Sequence, residues 1–489
     1  MNTNSNTVHL RREVLVRLIR AYLSEEFEDT TDKIPYDMRP KNCEVPYRCC
    51  VHKERAILRS RTIASLGFAI EDDDEVTRLS DYAKRAEKRT ELEKDVLTVV
   101  DTACKGCVPS RIFVTDLCQG CVARPCINSC SFGAISMKNG KSVIDGEKCK
   151  NCTKCMQVCP YNAIVKIRVP CEDSCAVNAI TKNEAGVAEI DFDKCISCGH
   201  CMSACPFGAI HEKSQMIDIF RAIKTGKKVI AMVAPSVVGQ LPCTLGQLKT
   251  GFEKAGFAKM EEVAIGADLT ALHEAVDFQE RMEKGDDFMT TSCCAAYKEL
   301  VRKHVPEMGD FVSETPTPMH FTAELVKKEN PDCVSVFVGP CVAKRFEGIH
   351  DDYVDYVMSF EEMGAMFVAL KIELSEQEEA EFDSPACAEG RRFGITGGVS
   401  ASVVAANKSE HTIEPTIING LNTQSLKQLK GYAKQRKCPD GNLVEVMICE
   451  GGCVGGAGVL NSVKATTRKI NTFCDGSCGL AENRDKYEK

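Results

Sequence analysis

Between Cys104 and Cys205 the chain places sixteen cysteines and few long apolar stretches. Such a segment cannot bury enough apolar surface to build a conventional core, so it must be cross-linked or organised around metal. Compartment separates those choices. Met1 to Arg20 shows no apolar core followed by a small-residue cleavage site, and no run approaches the roughly 18 apolar residues of a membrane span. The expectation is a cytoplasmic protein in a reducing environment, where stable disulfides are disfavoured. A net charge of -8, with Lys and Arg scattered, argues against a nucleic-acid surface and fits a soluble enzyme.

The spacing of the cysteines names the metal. Cys149, Cys152, Cys155 and Cys159, followed by Pro160, have the C-x2-C-x2-C-x3-C-P pattern, and Cys195, Cys198, Cys201 and Cys205, followed by Pro206, repeat it. Three closely spaced thiolates wrap one 4Fe-4S cubane while the fourth reaches a neighbouring cluster. Zinc more usually shows pairs. Cys118, Cys121, Cys126 and Cys130 partner the Cys149 group, so that one cubane takes Cys118, Cys121, Cys126 and Cys159 and the other Cys149, Cys152, Cys155 and Cys130. The Cys195 group is left with Cys171 and Cys175, and Cys104 with Cys107 fills the gap. On this reading a two-cluster module is inserted into the first motif of another: Cys104, Cys107, Cys171 and Cys205 hold one cubane, and Cys195, Cys198, Cys201 and Cys175 hold the other. Ala134-Ile135, Ala163-Ile164, Ala179-Ile180 and Ala209-Ile210 recur four residues after the last cysteine of each run, as a repeat should. The alternative is that Cys104 and Cys107 are structural or form a zinc pair. Four accessory clusters in one chain imply an electron wire between the surface and a buried reaction centre.

Three parts are expected. Residues 1–100 form a charged, mostly helical extension, with Thr77 to Val96 an exposed helix of mixed sign, more plausibly solvated than a binding surface. Residues 101–214 form the nested pair of α+β ferredoxin-like modules, the inner one at about 115–168. Residues 215–489 show strand-helix alternation and predict an α/β domain with mixed or parallel sheets flanked by helices. Its clearest strands are Lys228 to Ala234, Phe288 to Thr290, Val334 to Val338 and Val444 to Ile448. Cys294, Cys341, Cys449 and Cys453 lie just beyond the last three of these, and the carboxyl ends of strands are where open α/β sheets place ligands. Function should centre there, on one buried iron-sulfur site.

Three motifs make the resemblance specific. Thr291-Ser292-Cys293-Cys294, Gly339-Pro340-Cys341-Val342-Ala343-Lys344-Arg345-Phe346-Glu347 and Glu445-Val446-Met447-Ile448-Cys449-Glu450-Gly451-Gly452-Cys453-Val454-Gly455-Gly456 resemble, in order, the signatures of FeFe hydrogenases, over roughly residues 215 to 465. The resemblance implies an H-cluster, a 4Fe-4S cubane joined through a cysteine sulfur to a two-iron unit carrying carbonyl, cyanide and a bridging azadithiolate. Cys294, Cys341, Cys449 and Cys453 match its ligands, with Cys453 the bridging thiolate. Lys344 matches the lysine that hydrogen-bonds a cyanide. Ala234, Pro235 and Ser236 match the segment lining the dithiolate and cyanide, Met447 a packing methionine, and Phe393 a residue packed near the cluster.

Splitting hydrogen yields protons as well as electrons, so a proton route is required. Adjacent Cys293 and Cys294 cannot easily both reach one cubane, which frees one thiol. Cys293 matches the family's thiol relay, and Glu274, Ser313, Asp277 and Arg281 match the chain behind it. Glu274, Asp277 and Arg281 are spaced i, i+3 and i+7, along one helix face. The reading that follows is a ferredoxin hydrogenase, converting hydrogen reversibly to protons and electrons, served by ferredoxin and by dedicated maturation proteins. Its rivals are a hydrogen sensor of the same fold and a hydrogenase-like iron-sulfur protein without the two-iron unit.

Several positions depart from the best-known members. Ala295, Ala296 and Tyr297 replace the usual proline and tryptophan, Gly339 the usual methionine, and Met319 the common glutamine, while Ala457 interrupts the final glycine run. These changes resemble the divergent group B. They put rate and direction in question, and the reading leans to hydrogen uptake. Gly394-Ile395-Thr396-Gly397-Gly398 has the look of a phosphate loop but lacks the Gly-Lys-Ser or Gly-Lys-Thr that should follow. Cys43, Cys49, Cys50, Cys474 and Cys478 fall outside every assigned cluster; buried free thiols are the default, and a fifth accessory site bridging the termini is the alternative.

Overall fold

The structure, a computed structural model, describes residues 5–43, 47–108, 111–383 and 385–483. Four helices open the chain, Asn6–Leu23, Phe27–Met38, Val51–Ser65 and Leu79–Lys88. The first starts where the Ser5 hydroxyl accepts the Val8 N–H, and its stripe of Val14, Leu15, Leu18, Ile19 and Tyr22 is buried. That stripe packs on the helix Phe360–Leu370 far along the chain, where Arg11 and Arg12 both clamp Glu361. The N-terminal helices therefore share one apolar core with the first large sheet.

The expected exposed helix over Thr77 to Val96 needs correction. It ends at Lys88, and Leu79, Tyr82, Ala83 and Ala86 bury one face. Arg89, just beyond it, is buried against Asp218. The apolar positions sit at i, i+3, i+4 and i+7, and the density of charge between them hid that stripe.

Eight short strands follow: β1 (Leu97–Val99), β2 (Arg111–Val114), β3 (Ile135–Lys138), β4 (Lys141–Ile144), β5 (Ile164–Ile167), β6 (Ile180–Lys182), β7 (Ala188–Ile190) and β8 (Ile210–Glu212). They form antiparallel pairs that are themselves nested: β3 with β4 inside β2 with β5, then β6 with β7, all enclosed by β1 with β8.

The remaining strands are β9 (Val229–Val233), β10 (Lys259–Glu262), β11 (Met289–Thr290), β12 (Val334–Gly339), β13 (Tyr356–Ser359), β14 (Pro415–Asn419) and β15 (Leu443–Met447). They make two parallel sheets, ordered β10-β9-β12-β13 and β11-β15-β14. Strands β9, β12 and β15 are buried along their whole length, which is why each reads as a near-continuous apolar run. Ala234 follows β9 and Cys341 follows β12 in one sheet; Cys294 follows β11 and Cys449 follows β15 in the other. The site therefore lies where the carboxyl ends of two sheets meet.

One buried ion cluster ties the parts together. Arg345, at the start of the helix Ala343–Ile349, reaches Glu212 at the end of β8 with Nε to Oε2 at 3.1 Å, pairs with Glu362, and donates to the Val357 carbonyl at 2.8 Å. All three charged groups are nearly inaccessible.

Candidate active site

The cysteines of the nested region gather in fours. Cys118, Cys121, Cys126 and Cys159 line one cavity, and Cys130, Cys149, Cys152 and Cys155 line another. Cys175, Cys195, Cys198 and Cys201 lie within electrostatic reach of one another, and burial pushes the Cys195 thiol up to about 11. Cys104, Cys107 and Cys171 share an apolar cluster, Cys171 feels the charge of Cys205, and Lys182 Nζ stands 3.9 Å from the Cys104 sulfur. The repeated alanines have a shared job. Ala134, Ala163, Ala179 and Ala209 donate their N–H to the sulfurs of Cys130, Cys159, Cys175 and Cys205 at 3.2–3.4 Å. Such bonds favour the thiolate, and hydrogen bonds to the sulfurs are one of the levers on a cluster's potential.

All thirty cysteines are free thiols. Among the described residues no three cysteine, histidine or carboxylate side chains close tightly enough to hold a single metal ion.

Cys294, Cys341, Cys449 and Cys453 converge. Cys341 and Cys449 each feel the other ligand thiols, and burial, reinforced by that mutual repulsion, pushes Cys341 to about 12. Burial likewise raises Cys453 to about 12. Burial and mutual repulsion favour the neutral thiols, so a metal bound here would have to displace their protons to gain thiolate ligands. Beside them the Ser236 hydroxyl is fully buried without a partner among the described residues, a donor left for a bound group. The residues present thus fit an iron-sulfur centre with further polar ligands.

Lys344 is buried, which alone would lower it, but Glu347 and the thiols of Cys341 and Cys293 outweigh burial and hold it charged. Its Nζ lies 2.7 Å from Glu347 Oε2, and Glu347 is fixed in turn by Thr317. Phe393 and Met447 pack in the apolar cluster that Cys293 borders.

Cys293, half-buried, borders a different apolar cluster from its neighbour Cys294. Burial raises it well above the usual thiol range, and Glu274 adds to the shift. Glu274 is itself pushed up to about 7 by burial, against hydrogen bonds from Ser292 that oppose the rise. Its Oε1 lies 2.8 Å from Ser292 N and 3.0 Å from Ser292 Oγ, while Oε2 is buried and unpartnered. Ser313 Oγ donates to Asp277 at 2.8 Å, and Arg281 Nε bonds Asp277 at 2.7 Å toward the surface. Glu274 bonds to Ser292, and Ser313 does not complete a direct link to it. Ser292 Oγ donates to the Thr315 carbonyl at 2.7 Å, and Thr315 N donates to Ser313 Oγ at 3.2 Å, so the two halves meet at one residue, Thr315.

Sequence reasoning passed over Ser292, Glu347 and Glu445. Glu445 lies in β15, fully buried, and accepts from Gly397 N at 2.7 Å and from Ser400 N and Oγ at 2.8 and 2.9 Å. A carboxylate of the chain itself therefore takes the amides of the loop that looked like a phosphate site. A lone acid inside the run Val444 to Ile448 was the available signal.

The extra cysteines separate. Cys49 lines a cavity among the N-terminal helices, whereas Cys474 closes the helix Val463–Cys474 and lies near Arg391 together with Cys478. The N-terminal helices dock on Phe360–Leu370, and the C-terminal helix docks on Ala388–Arg392.

Comparison with known proteins bears on the same regions. The family model for the iron-only hydrogenase large subunit, C-terminal domain, matches residues 227–457, and that for the 4Fe-4S binding domain matches 142–165 and 188–211. Residues 227–457 are a domain of the FeFe hydrogenase family. Iron hydrogenase 1 of Clostridium pasteurianum is 29% identical over 51% of this chain and 53% of its own, so the chain spans about half of that relative. The periplasmic Fe hydrogenase large subunit of Nitratidesulfovibrio vulgaris is 26% identical over 67% of this chain and 89% of its own. Among solved structures, an FeFe-hydrogenase of Chlamydomonas reinhardtii is 22% identical and covers 54% of this chain and 90% of its own, with a TM-score of 0.45. The chain carries iron-sulfur cofactors, and among its described residues no helix is long and apolar enough to cross a membrane.

Proposed function

We propose that the chain is a hydrogenase of three parts, 1–100, 101–214 and 215–489, interconverting one hydrogen molecule with two protons and two electrons. The observation that carries this reading is the convergence of Cys294, Cys341, Cys449 and Cys453 beside Lys344, with Cys293 facing Glu274. Cys294, Cys341, Cys449 and Cys453 would hold the H-cluster, with Cys453 bridging its cubane and two-iron unit, and that group supplies the splitting of hydrogen when bound. Lys344, kept charged by Glu347, presents a fixed ammonium to anionic ligands in a site closed to water. Ala234, Pro235, Ser236, Phe393 and Met447 shape the wall. Cys293 passes a proton to or from Glu274, whose ordinary value displaced to about 7 suits exchange in both directions near neutrality. Ser313, Asp277 and Arg281 continue the route outward.

Electrons pass through four accessory cubanes to or from ferredoxin or a similar one-electron carrier. Cys198 lies within electrostatic reach of Cys449, making the Cys175, Cys195, Cys198 and Cys201 cluster the contact with the active site. The departures around Gly339, Tyr297 and Ala457 support placement in group B, with uptake as the working direction and a cytoplasmic location. Installation of the two-iron unit requires maturation proteins.

The test is the infrared spectrum of anaerobically matured protein in the region of metal-bound carbonyl and cyanide stretches. Sharp bands that shift under hydrogen are expected. Their absence, when a known hydrogenase matures in parallel, would overturn the reading in favour of an iron-sulfur protein without the two-iron unit; bands with negligible turnover would favour a sensor.

A further inference from the structure

A second cavity lies away from the proposed active site, between the N-terminal helices and the loop carrying Cys104. It encloses about 460 Å³, within the range of small-molecule sites. Of the four thiols expected to hold the adjacent cluster only Cys104 lines it, so it is not the volume the cluster would fill.

Its wall is strongly cationic. Arg39, Arg48, Lys53, Arg61 and Lys105 line it, against a single carboxylate among the described residues, Glu54. Glu54 is already engaged by Arg39 at 2.5 Å and by Arg48 N at 3.0 Å. Arg48 spends its guanidinium on the carbonyls of Ala103 and Phe207. Lys53 and Lys105 are exposed at the rim.

Arg61 is the decisive group. It is 2% exposed, donates through Nη2 to the carbonyls of Phe207 and Gly208, and leaves Nε and Nη1 buried without a partner among the described residues. Its charged neighbours among the described residues are Arg11, Arg48 and the Cys205 thiol. A buried guanidinium with unfilled donors and cationic neighbours is costly unless an anion completes it. A second feature converges on the same place. Asn6 and Thr7, the first turn of the eighteen-residue helix Asn6–Leu23, line the cavity, and a helix N-terminus favours negative charge. The opposite wall is apolar, formed by Leu10, Ile57, Leu58 and Phe207.

We propose that this cavity binds a nucleotide-sized molecule, its phosphates held by Arg61, Lys53 and Lys105 and its flat body against the apolar wall. The site abuts Cys104 and the Pro206-Phe207 turn that follows Cys205, so occupancy would be felt at the cluster expected on Cys104, Cys107, Cys171 and Cys205. The inference is independent of the hydrogen chemistry.

Isothermal titration calorimetry of the full chain, with its clusters in place under anaerobic conditions, tests it using ADP, adenosine and inorganic phosphate. One ADP per chain is expected, with adenosine and phosphate each at least ~10-fold weaker, since one charge-assisted contact is worth about that factor. The rim variant Lys53→Glu/Lys105→Glu, on exposed positions, should weaken ADP at least ~10-fold while iron content is unchanged. Arg61→Gln should do the same. No saturable ADP binding at millimolar concentration overturns the proposal, as does affinity indifferent to both variants. Phosphate as tight as ADP reduces the site to a simple anion site and overturns the nucleotide assignment. A potential change at the cluster in Arg61→Gln, with no ADP binding in the parent, assigns the buried charge to the cluster alone and also overturns it.

Discussion

Glu274 gives the sharpest test of the proton route. Burial raises its carboxyl from 4.5 to about 7, which favours the neutral form by about 3 kcal/mol over an exposed glutamate. Because the folded-state value is raised, this contribution to stability is fully present below about pH 4.5 and is lost as pH rises through about 7. The same midpoint sets the relay. The ionised fraction climbs from about one tenth at pH 6 to about nine tenths at pH 8, so hydrogen oxidation, which needs a base at this position, should rise about ninefold across that interval. Proton reduction, which needs the acid, should fall by a similar factor. In Glu274→Gln both inflections should vanish and turnover should drop by ~100-fold or more, as loss of a positioned acid-base group commonly does. The assay is dye-linked turnover in each direction against pH, paired with infrared difference spectra following a buried carboxyl band that titrates near pH 7 and is missing from the Gln variant. A Gln variant within twofold of the parent in both directions would refute the relay, and a carboxyl band titrating near pH 4 would refute the buried environment.

Four further outcomes are expected. Cys293→Ala should abolish nearly all turnover while iron content and the carbonyl and cyanide bands persist; full turnover would remove Cys293 from the route. Arg345→Met leaves Glu212 and Glu362 buried without their cation and should destabilise the fold by about 3–5 kcal/mol, read as a lower thermal midpoint or loss of soluble protein; an unchanged midpoint would show the cluster to be energetically neutral. Gly452 has φ of +89°, and a Cβ there would lie 2.7 Å from Thr396 N, so Gly452→Ala should displace the loop between Cys449 and Cys453 and lower the iron bound there. Gly431→Ala, in the helix Thr423–Gln435 with open space around it, should instead leave iron content intact and add about 1 kcal/mol to helix stability.

The cysteine pattern was legible because cluster ligation imposes a spacing that survives without any apolar core. The strands of the two parallel sheets were legible for the opposite reason, since burial on both faces leaves an unbroken apolar run. What the sequence hid were contacts between distant polar residues. Glu212, Arg345 and Glu362 are separated by 133 and 17 positions, and none carries a local signal of pairing. Ser292 was visible only as part of a motif, because its bond to Glu274 spans 18 positions. Gly339 shows how a departure becomes intelligible: a Cβ there would sit 2.5 Å from the Phe337 ring, so that ring fills the space a larger residue would claim. Tyr297, in place of the usual tryptophan, keeps a buried polar tip satisfied by Thr290 at 2.9 Å.

The proposed electron and proton routes leave the site on different sides, and the residues explain why they are kept apart. A carboxylate beside an electron-carrying cluster would shift its potential each time it titrated, since nearby charge is among the terms that set that potential. Besides burial, the largest influences on Cys449 are thiols, Cys198 among them, while Glu445 acts on Cys453. Gly199, at φ of +75°, lets the accessory loop approach closely, since a Cβ there would meet Ala457 at 2.7 Å and Val342 at 2.9 Å. Ala457 is thus a seat for the neighbouring cluster loop as well as an interruption in a glycine run. Cys293, by contrast, feels Glu274 and Glu445. Placing Glu274 against Cys293, and the Gly199 loop against Ala457 and Val342, puts the titrating relay acid and the accessory loop on different neighbours. On that argument Gly199→Ala should slow electron delivery to an external carrier while leaving the pH inflection of Glu274 where it is.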